Sequence, residues 1–166
     1  SMNKRLLADN VVAVARTAKL YGVPTVLSTV NVSTGLNQPM IRPITDLLGD
    51  APIVDRTSIN AWEDDDFVAA VKATGRRKLI MIALWTEVCL VFPALDALKE
   101  GFDVYVVVDA VGGTSREAHR AGLQRIVQAG GIPISWIQLA CELQRDWNRE
   151  STAPGFADIV FAEVGH

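Results

Sequence analysis

The chain has 166 residues, 49% of them hydrophobic, and a formal net charge of −3. This length predicts one domain, residues 1–166, that can bury a substantial core. The weak acidic balance and the lack of a basic block argue against nucleic acid and anionic membranes as partners. No apolar run is long enough to span a bilayer. Two cysteines are too few for a disulfide framework, which favours reduced thiols in a cytoplasmic protein.

Helical and strand patterns alternate along the sequence. Apolar residues spaced by threes and fours predict helices over residues 3–21, 64–74, 86–100, 115–129, 138–148 and 154–164, the last of which also tolerates a strand at 159–161. Short apolar and β-branched runs predict strands over residues 23–29, 52–55, 79–84, 102–108 and 132–136. Residues 30–45 are expected to form a polar loop and residues 45–48 a short helical turn. Four helices end at a glycine and are soon followed by an apolar run, which predicts an α/β protein with a mainly parallel sheet and right-handed crossovers.

Cys89 occupies a position suited to chemistry. The unbroken apolar run at 79–84 predicts a fully buried parallel strand, and helical spacing begins at Thr86. Cys89 is therefore expected in the first turn of a helix, at the edge of the sheet where open α/β folds bind ligands. Unpaired N–H groups and the helix dipole favour a thiolate there, and the same N–H groups can hold an oxyanion. Pro93, four residues on, has no N–H to donate to the carbonyl of Cys89.

The residues alone leave a second interpretation open for each candidate. Cys89 is also consistent with an inert buried side chain, since buried cysteine is common. Arg56 follows the strand at 52–55, where its charge can stabilise a thiolate and bind a carboxylate or carbonyl group, or can simply face solvent. Trp62, after Asn60 in the same loop, is either a pocket wall or a loop anchor. Asp109 is expected to cap a turn.

Further residues have structural explanations. Thr86 is a natural N-cap, and the neighbouring Glu87 suits a first helical turn. Cys141 is expected in the core. His119 and His166 stand alone, so no metal site and no cofactor are predicted, and there is no C-x-x-C pair to support a redox role.

Four blocks of the sequence resemble the isochorismatase-like cysteine hydrolase superfamily, in its YcaC-type branch. They are ARTAKLYGVPTVLST, RTSINAWEDDDFVAAVKATGRRKLI, TEVCLVFPALDALKEGFDVYVVVDA and LACELQRDW. The resemblance covers nearly the whole chain. It implies a three-layer α/β/α fold with Rossmann-like topology, a small amide or related carbonyl as substrate, and a homo-oligomer.

The same resemblance implies roles for individual residues. Cys89 is the expected nucleophile and Arg56 the basic residue that assists it. A cis peptide bond is implied between Leu84 and Trp85, and the N–H groups of Trp85 and Cys89 would form the oxyanion hole. The candidate substrate-binding residues are Asn60, Trp62 and Thr86.

One part of the family pattern is not found. Members begin with a strand of the type LLLIDxQ, whose Asp acts as the base for the cysteine, whereas this sequence starts in the helix that follows and is short at its N-terminus. Asp9 lies in that helix and does not match the motif. The resemblance therefore predicts an unfilled central strand position, which the tail ADIVFAEV or a neighbouring chain could occupy. Two hypotheses follow: a cysteine hydrolase, or a catalytically impaired pseudoenzyme or assembly subunit of the same fold.

Overall fold

The structure is a computed structural model and describes residues 3–164. Its helices are α1 (Lys4–Leu20), α2 (Arg42–Leu47), α3 (Asp65–Ala73), α4 (Val91–Lys99), α5 (Arg116–Gln128), α6 (Trp136–Gln144) and α7 (Ala153–Val164). Its strands are β1 (Leu27–Val30), β2 (Ile53–Arg56), β3 (Lys78–Met81), β4 (Asp103–Val107) and β5 (Ile132–Ile134). The alternation of helix and strand agrees with the sequence prediction.

The described strands form two parallel sheets. β1 pairs with β2, with Leu27 opposite Ile53 and Val30 opposite Arg56. β4 lies between β3 and β5 in a second sheet. Within residues 3–164 no ladder joins the two sheets, so β1 and β3 each keep one edge without a strand partner. The parallel order confirms the predicted α/β class, and the unpaired edges agree with an unfilled strand position.

Helices cover both faces of the larger sheet. On β4, Val104 and Val106 pack in one hydrophobic cluster with α3, α4 and α5, whereas Val107 packs in another with α1, α6 and α7. Successive side chains of a strand point to opposite faces, which produces this division. The architecture is the three-layer α/β/α arrangement that the resemblance implies.

The prediction that residues 79–84 form a fully buried strand is wrong. The strand ends at Met81, the side chain of Ile80 is 37% exposed, and that of Leu84 is 63% exposed. Among the described residues no strand lies along one edge of β3, so its apolar side chains lack the flanking neighbours that a central strand has. The tail ADIVFAEV belongs to α7, which packs on α1 through Ile159, and does not fill this position.

Other expectations also needed correction. Cys141 is exposed rather than buried in the core, because α6 turns Leu139 and Ala140 inward instead. The strand predicted at 23–29 begins only at Leu27. α6 begins at Trp136, two residues earlier than predicted, because the side chain of Ser135 caps it. Among the described residues, no helix has the length and apolar character needed to cross a membrane.

Candidate active site

Cys89 lies in a π-helical turn, Thr86–Leu90, that leads into α4. The N–H of Leu90 donates to the carbonyl of Trp85, five residues back, at 3.4 Å. Pro93 lacks the N–H that would reach the carbonyl of Cys89 in a regular α-helix, which favours this wider turn. The peptide bond between Leu84 and Trp85 is cis, as the resemblance implies.

The turn leaves Cys89 partly exposed while its first and last residues are buried. Thr86 and Leu90 are both 0% exposed, whereas Cys89 is half-buried. Leu90 belongs to the cluster between the sheet and α3, α4 and α5. The thiol is therefore accessible on a turn whose ends are fixed in the core.

Helix α5 and the segment before it hold this turn in place. The N–H of Thr86 donates to the carbonyl of Gly112 at 2.8 Å, and the hydroxyl of Thr86 lies 2.8 Å from Nδ1 of His119. A side chain at Gly122 would place its Cβ 3.0 Å from Cα of Glu87. The backbone of the turn therefore packs directly on α5.

Glu87 makes a second connection across the same contact. Its Oε1 accepts hydrogen bonds from the N–H of Thr114 at 3.0 Å and from the Thr114 hydroxyl at 2.5 Å, while Oε2 is buried with no partner among the described residues. Burial raises the pKa of Glu87, but the hydrogen bonds from Thr114, a backbone hydrogen bond of Glu87 itself and the charge of His119 together outweigh it, so that the pKa lies below its ordinary value. Burial lowers the pKa of His119, and the neighbouring Glu87 carboxylate opposes that effect.

Arg56 ends β2 and is almost fully buried, with 5% of its surface exposed. Its Nε donates to the hydroxyl of Ser28 at 3.0 Å, and Nη1 donates to the carbonyls of Ser58 and Ile59. Within residues 3–164 no carboxylate lies close enough to form an ion pair with it. The guanidinium is thus a buried cation supported by neutral oxygens, at the carboxyl end of its strand.

Asp55 holds the beginning of the loop that follows β1. Its carboxylate accepts hydrogen bonds from the N–H of Ser33 at 2.8 Å, the N–H of Val32 at 3.1 Å and the hydroxyl of Thr29 at 2.8 Å. These bonds, that from Ser33 first, hold the pKa of Asp55 well below its ordinary value of 3.8. This side chain and the hydrogen bonds that Asn37 donates to the carbonyls of Val30 and Asn31 fix the base of the loop that spans residues 30–45.

Asn60 and Trp62 act as anchors to α4 and to the core. The Asn60 side chain accepts from the N–H of Trp62 at 3.0 Å and donates to Asp96 at 2.7 Å. Trp62 donates its ring N–H to Glu100, beyond the carboxyl end of α4. Asp96 is seven residues from Cys89, which corresponds to about 10 Å along a helix. The side chains of Asn60 and Trp62 therefore contact the end of α4 that is away from the thiol. The structure favours the loop-anchor interpretation of Trp62, and binding of substrate by Asn60 and Trp62 stays a prediction.

The remaining candidates are placed as follows. Asp109 caps the start of α6 by accepting from the N–H of Trp136 at 2.9 Å. Within residues 3–164 no three His, Cys, Asp or Glu side chains lie together as metal ligands would; His166 lies outside the described residues. Two surface cavities have volumes of about 620 and 480 Å³, and Cys89 does not line either of them.

Comparison with known proteins identifies the family. The Isochorismatase domain profile matches residues 1–138. "Probable hydrolase YcaC" of Escherichia coli K12 is 43% identical over 143 residues, which cover 86% of this chain and 68% of that protein. The chain belongs to the isochorismatase family, in the YcaC branch.

Solved structures of YcaC proteins agree with this assignment. YcaC from Pseudomonas aeruginosa, solved with hexane-2,5-diol and covalent acrylamide, superimposes with a TM-score of 0.87 at 35% identity, covering 99% of this chain and 86% of that one. YcaC from E. coli, described as an octameric hydrolase of unknown specificity, superimposes with a TM-score of 0.86 at 37% identity, covering 98% of this chain and 84% of that one.

The site includes residues that the sequence interpretation did not select. His119 was assigned no partner, yet it contacts Thr86; Gly112, Thr114 and Gly122 complete the same contact. These residues lie 26 or more positions from Thr86 in sequence, and no motif links them to the turn. Only the packing of α5 on the turn reveals the connection. Thr86 is the first residue of the turn rather than its N-cap, which is Trp85, and its hydroxyl contacts His119; binding of substrate by Thr86 stays a prediction.

We expect substitution of Asp55 by Asn to loosen the loop base. An amide presents one acceptor and one donor, so it cannot accept from both Val32 and Ser33 as the carboxylate does. Amide hydrogen exchange at these two residues should accelerate severalfold in D55N. The control is D50N, because Asp50 is exposed and makes none of these contacts.

The pH dependence of this contact has a defined sign. A carboxyl whose pKa is lowered in the folded state keeps its stabilising bonds above the ordinary pKa and loses them as the pH falls toward the lowered value. The exchange rates of Val32 and Ser33, corrected for intrinsic exchange, should therefore stay constant down to about pH 4 and rise only in stronger acid. Loosening that begins near neutral pH would contradict the assignment.

Proposed function

We propose that the chain is a cysteine hydrolase that acts on a small amide or related carbonyl compound. Cys89 is the nucleophile, Arg56 is the assisting cation, and the N–H groups of Trp85 and Cys89 form the oxyanion hole. The observation that carries the proposal is a half-buried thiol in the first turn of a helix that follows a parallel strand. Such a position combines access with unpaired N–H groups aimed at developing negative charge.

The reaction proceeds by acyl transfer. The sulfur of Cys89, having lost its proton, attacks the carbonyl carbon, and the carbonyl π electrons move to oxygen, where backbone N–H groups stabilise them. The tetrahedral adduct collapses, the C–N bond breaks, and the amine leaves with the proton that the thiol gave up. Water then attacks the thioester, which releases the carboxylic acid and returns a proton to sulfur.

A relative supports a reactive nucleophile in this branch. The P. aeruginosa YcaC structure contains covalent acrylamide. Acrylamide is an electrophile that reacts with thiolates. A protein of this branch has therefore formed a covalent bond with a reagent that modifies activated cysteines. This supports the assignment of Cys89 as the corresponding reactive group in this chain.

Competitive thiol labelling tests the activation of Cys89. Cys141 is exposed and Cys89 only half-buried, so access alone predicts faster reaction at Cys141. With limiting iodoacetamide at pH 7, we expect Cys89 to react about tenfold faster, because an ordinary thiol is only a few per cent ionised at this pH. Peptide mass spectrometry measures both rates in one sample.

The controls for this experiment are C89S and C141S. C141S should retain the fast phase and C89S should lose it, with no change in the rate at the remaining thiol. Faster labelling of Cys141 than of Cys89 would contradict the proposed nucleophile.

A second candidate, a catalytically impaired member of the same fold, is favoured by the surroundings of Arg56. A buried cation is costly unless a charge or hydrogen bonds compensate it. Arg56 has neutral oxygens and no carboxylate among residues 3–164. By the family resemblance, an acid on a strand of the type LLLIDxQ would lie between β1 and β3 and would accept the proton of Cys89.

Supplying that strand distinguishes the two candidates. We fuse LLLIDxQ to the N-terminus by a short linker, with LLLINxQ as the matched control, and measure hydrolysis of p-nitrophenyl acetate. A proton acceptor contributes about 10²- to 10⁴-fold, so an impaired chain should gain at least about 100-fold from the Asp strand and not from the Asn strand. Activity in the unfused chain equal to that of the Asp fusion would instead identify a competent hydrolase. Absence of activity in all three proteins would overturn the cysteine-hydrolase proposal.

We further propose that the chain forms a homo-oligomer in the cytoplasm. The E. coli relative is described as octameric, and β1 and β3 each have an unpaired edge, which proteins generally cover. The two cysteines are free thiols, which suits a reducing compartment. Light scattering should give a mass that is a multiple of the 18.0 kDa chain; a monomer across the micromolar range would contradict assembly.

A further inference from the structure

We propose that His119 is a positioning residue for Cys89 and acts through the hydroxyl of Thr86. The inference rests on the proposed function, because it concerns how the nucleophile and the oxyanion hole are held. The contact joins helix α5 to the first residue of the turn that carries Cys89, at 2.8 Å between Nδ1 and Oγ1. Thr86 is three residues from Cys89, whereas His119 is 33 residues from Thr86 in sequence, so its role is visible only in the folded chain.

Thr86 is fixed from several directions at once. It is 0% exposed, its N–H donates to Gly112, and its methyl group faces Gly122, where a built Cβ would lie 3.2 Å from it. The hydroxyl is the one polar group of this side chain, and it is engaged by His119. Without that partner a buried hydroxyl would remain unsatisfied, which a folded protein avoids by shifting the backbone or admitting water.

The nucleophile and both proposed oxyanion donors lie in this turn or directly before it. Thr86 begins it, Cys89 lies three residues further on, and Trp85 immediately precedes it. A shift of Thr86 therefore moves the two proposed oxyanion donors relative to the sulfur. Displacements of about 1 Å at a reacting centre can cost about 100-fold in rate.

The positioning role does not require a particular charge on His119. The Thr86 hydroxyl can donate to Nδ1 of a neutral ring or accept from Nδ1–H of a protonated one. The charged group that acts on the ring is Glu87, whose carboxylate is bound by Thr114. The contact with Thr86 is thus expected to persist when His119 titrates.

The first measurement separates oxyanion-dependent from oxyanion-independent chemistry. Acylation of Cys89 by p-nitrophenyl acetate forms an oxyanion, whereas alkylation by iodoacetamide displaces iodide and forms none. We compare H119L, which removes the contact, with H119N, whose side-chain amide can replace Nδ1. H119L should slow acylation about 10- to 100-fold and change alkylation by less than about threefold, and H119N should restore most of the acylation rate.

A second pair of variants tests whether His119 acts through Thr86. T86V removes the hydroxyl with little change in shape and should reproduce the H119L split between acylation and alkylation. The double variant T86V/H119L should be no slower than either single variant, because both remove one contact. Additive losses, or equal losses of acylation and alkylation, would overturn the positioning role.

Hydrogen exchange tests the inference independently of whether Cys89 can be acylated. Hydrogen exchange of the segment 86–91 should accelerate in H119L and T86V and remain unchanged in H119N, while exchange in β4 stays constant. Absence of a p-nitrophenolate burst in the unmodified protein would count against the proposed function alone. Unchanged exchange of this segment in H119L would overturn the inference alone.

Discussion

The contact between α5 and the turn Thr86–Leu90 is the interaction on which the proposed site depends. Two fully buried residues, Thr86 and Leu90, bracket a half-buried cysteine. The glycine at 122 allows the backbones to approach, and side chains of α5 and of the segment before it supply the polar partners. A helix start by itself provides unpaired N–H groups, but their direction is fixed only when the turn is anchored to a rigid neighbour. Here the neighbour is a helix of 13 residues that packs on the same sheet.

Arg56 is in the opposite situation, because it is a buried cation whose hydrogen-bond partners are all uncharged. Its guanidinium is nearly fully buried and hydrogen-bonded to neutral oxygens, and the strand that it ends belongs to the smaller of the two sheets. Within residues 3–164, β1 and β3 each have an unpaired edge and Arg56 forms no ion pair; one acidic strand between the sheets would explain both features. Each sheet has its own hydrophobic contacts: Leu27 of the smaller sheet packs with α1 and α2, and the larger sheet packs in two separate clusters.

Several features of the site followed from local rules. Pro93 explains the wide turn around Cys89, since it removes the bond that a regular α-helix would make there. The apolar run before Thr86 correctly predicted a parallel strand that ends near the thiol, although not its length or its exposure. The family resemblance supplied the cis peptide bond at Leu84–Trp85, which no composition or periodicity would have indicated.

By itself the sequence determined the order of helices and strands, the parallel α/β class and the place of Cys89 at a strand-to-helix junction, because periodicity and helix ends depend on neighbouring residues. The tertiary structure alone decided that Trp62 anchors a loop, that Cys141 is exposed, that the strands divide into two sheets, and that His119 meets Thr86. These outcomes depend on which surfaces come together when distant segments pack. The spacing of residues along the chain does not indicate which distant surfaces will pack together.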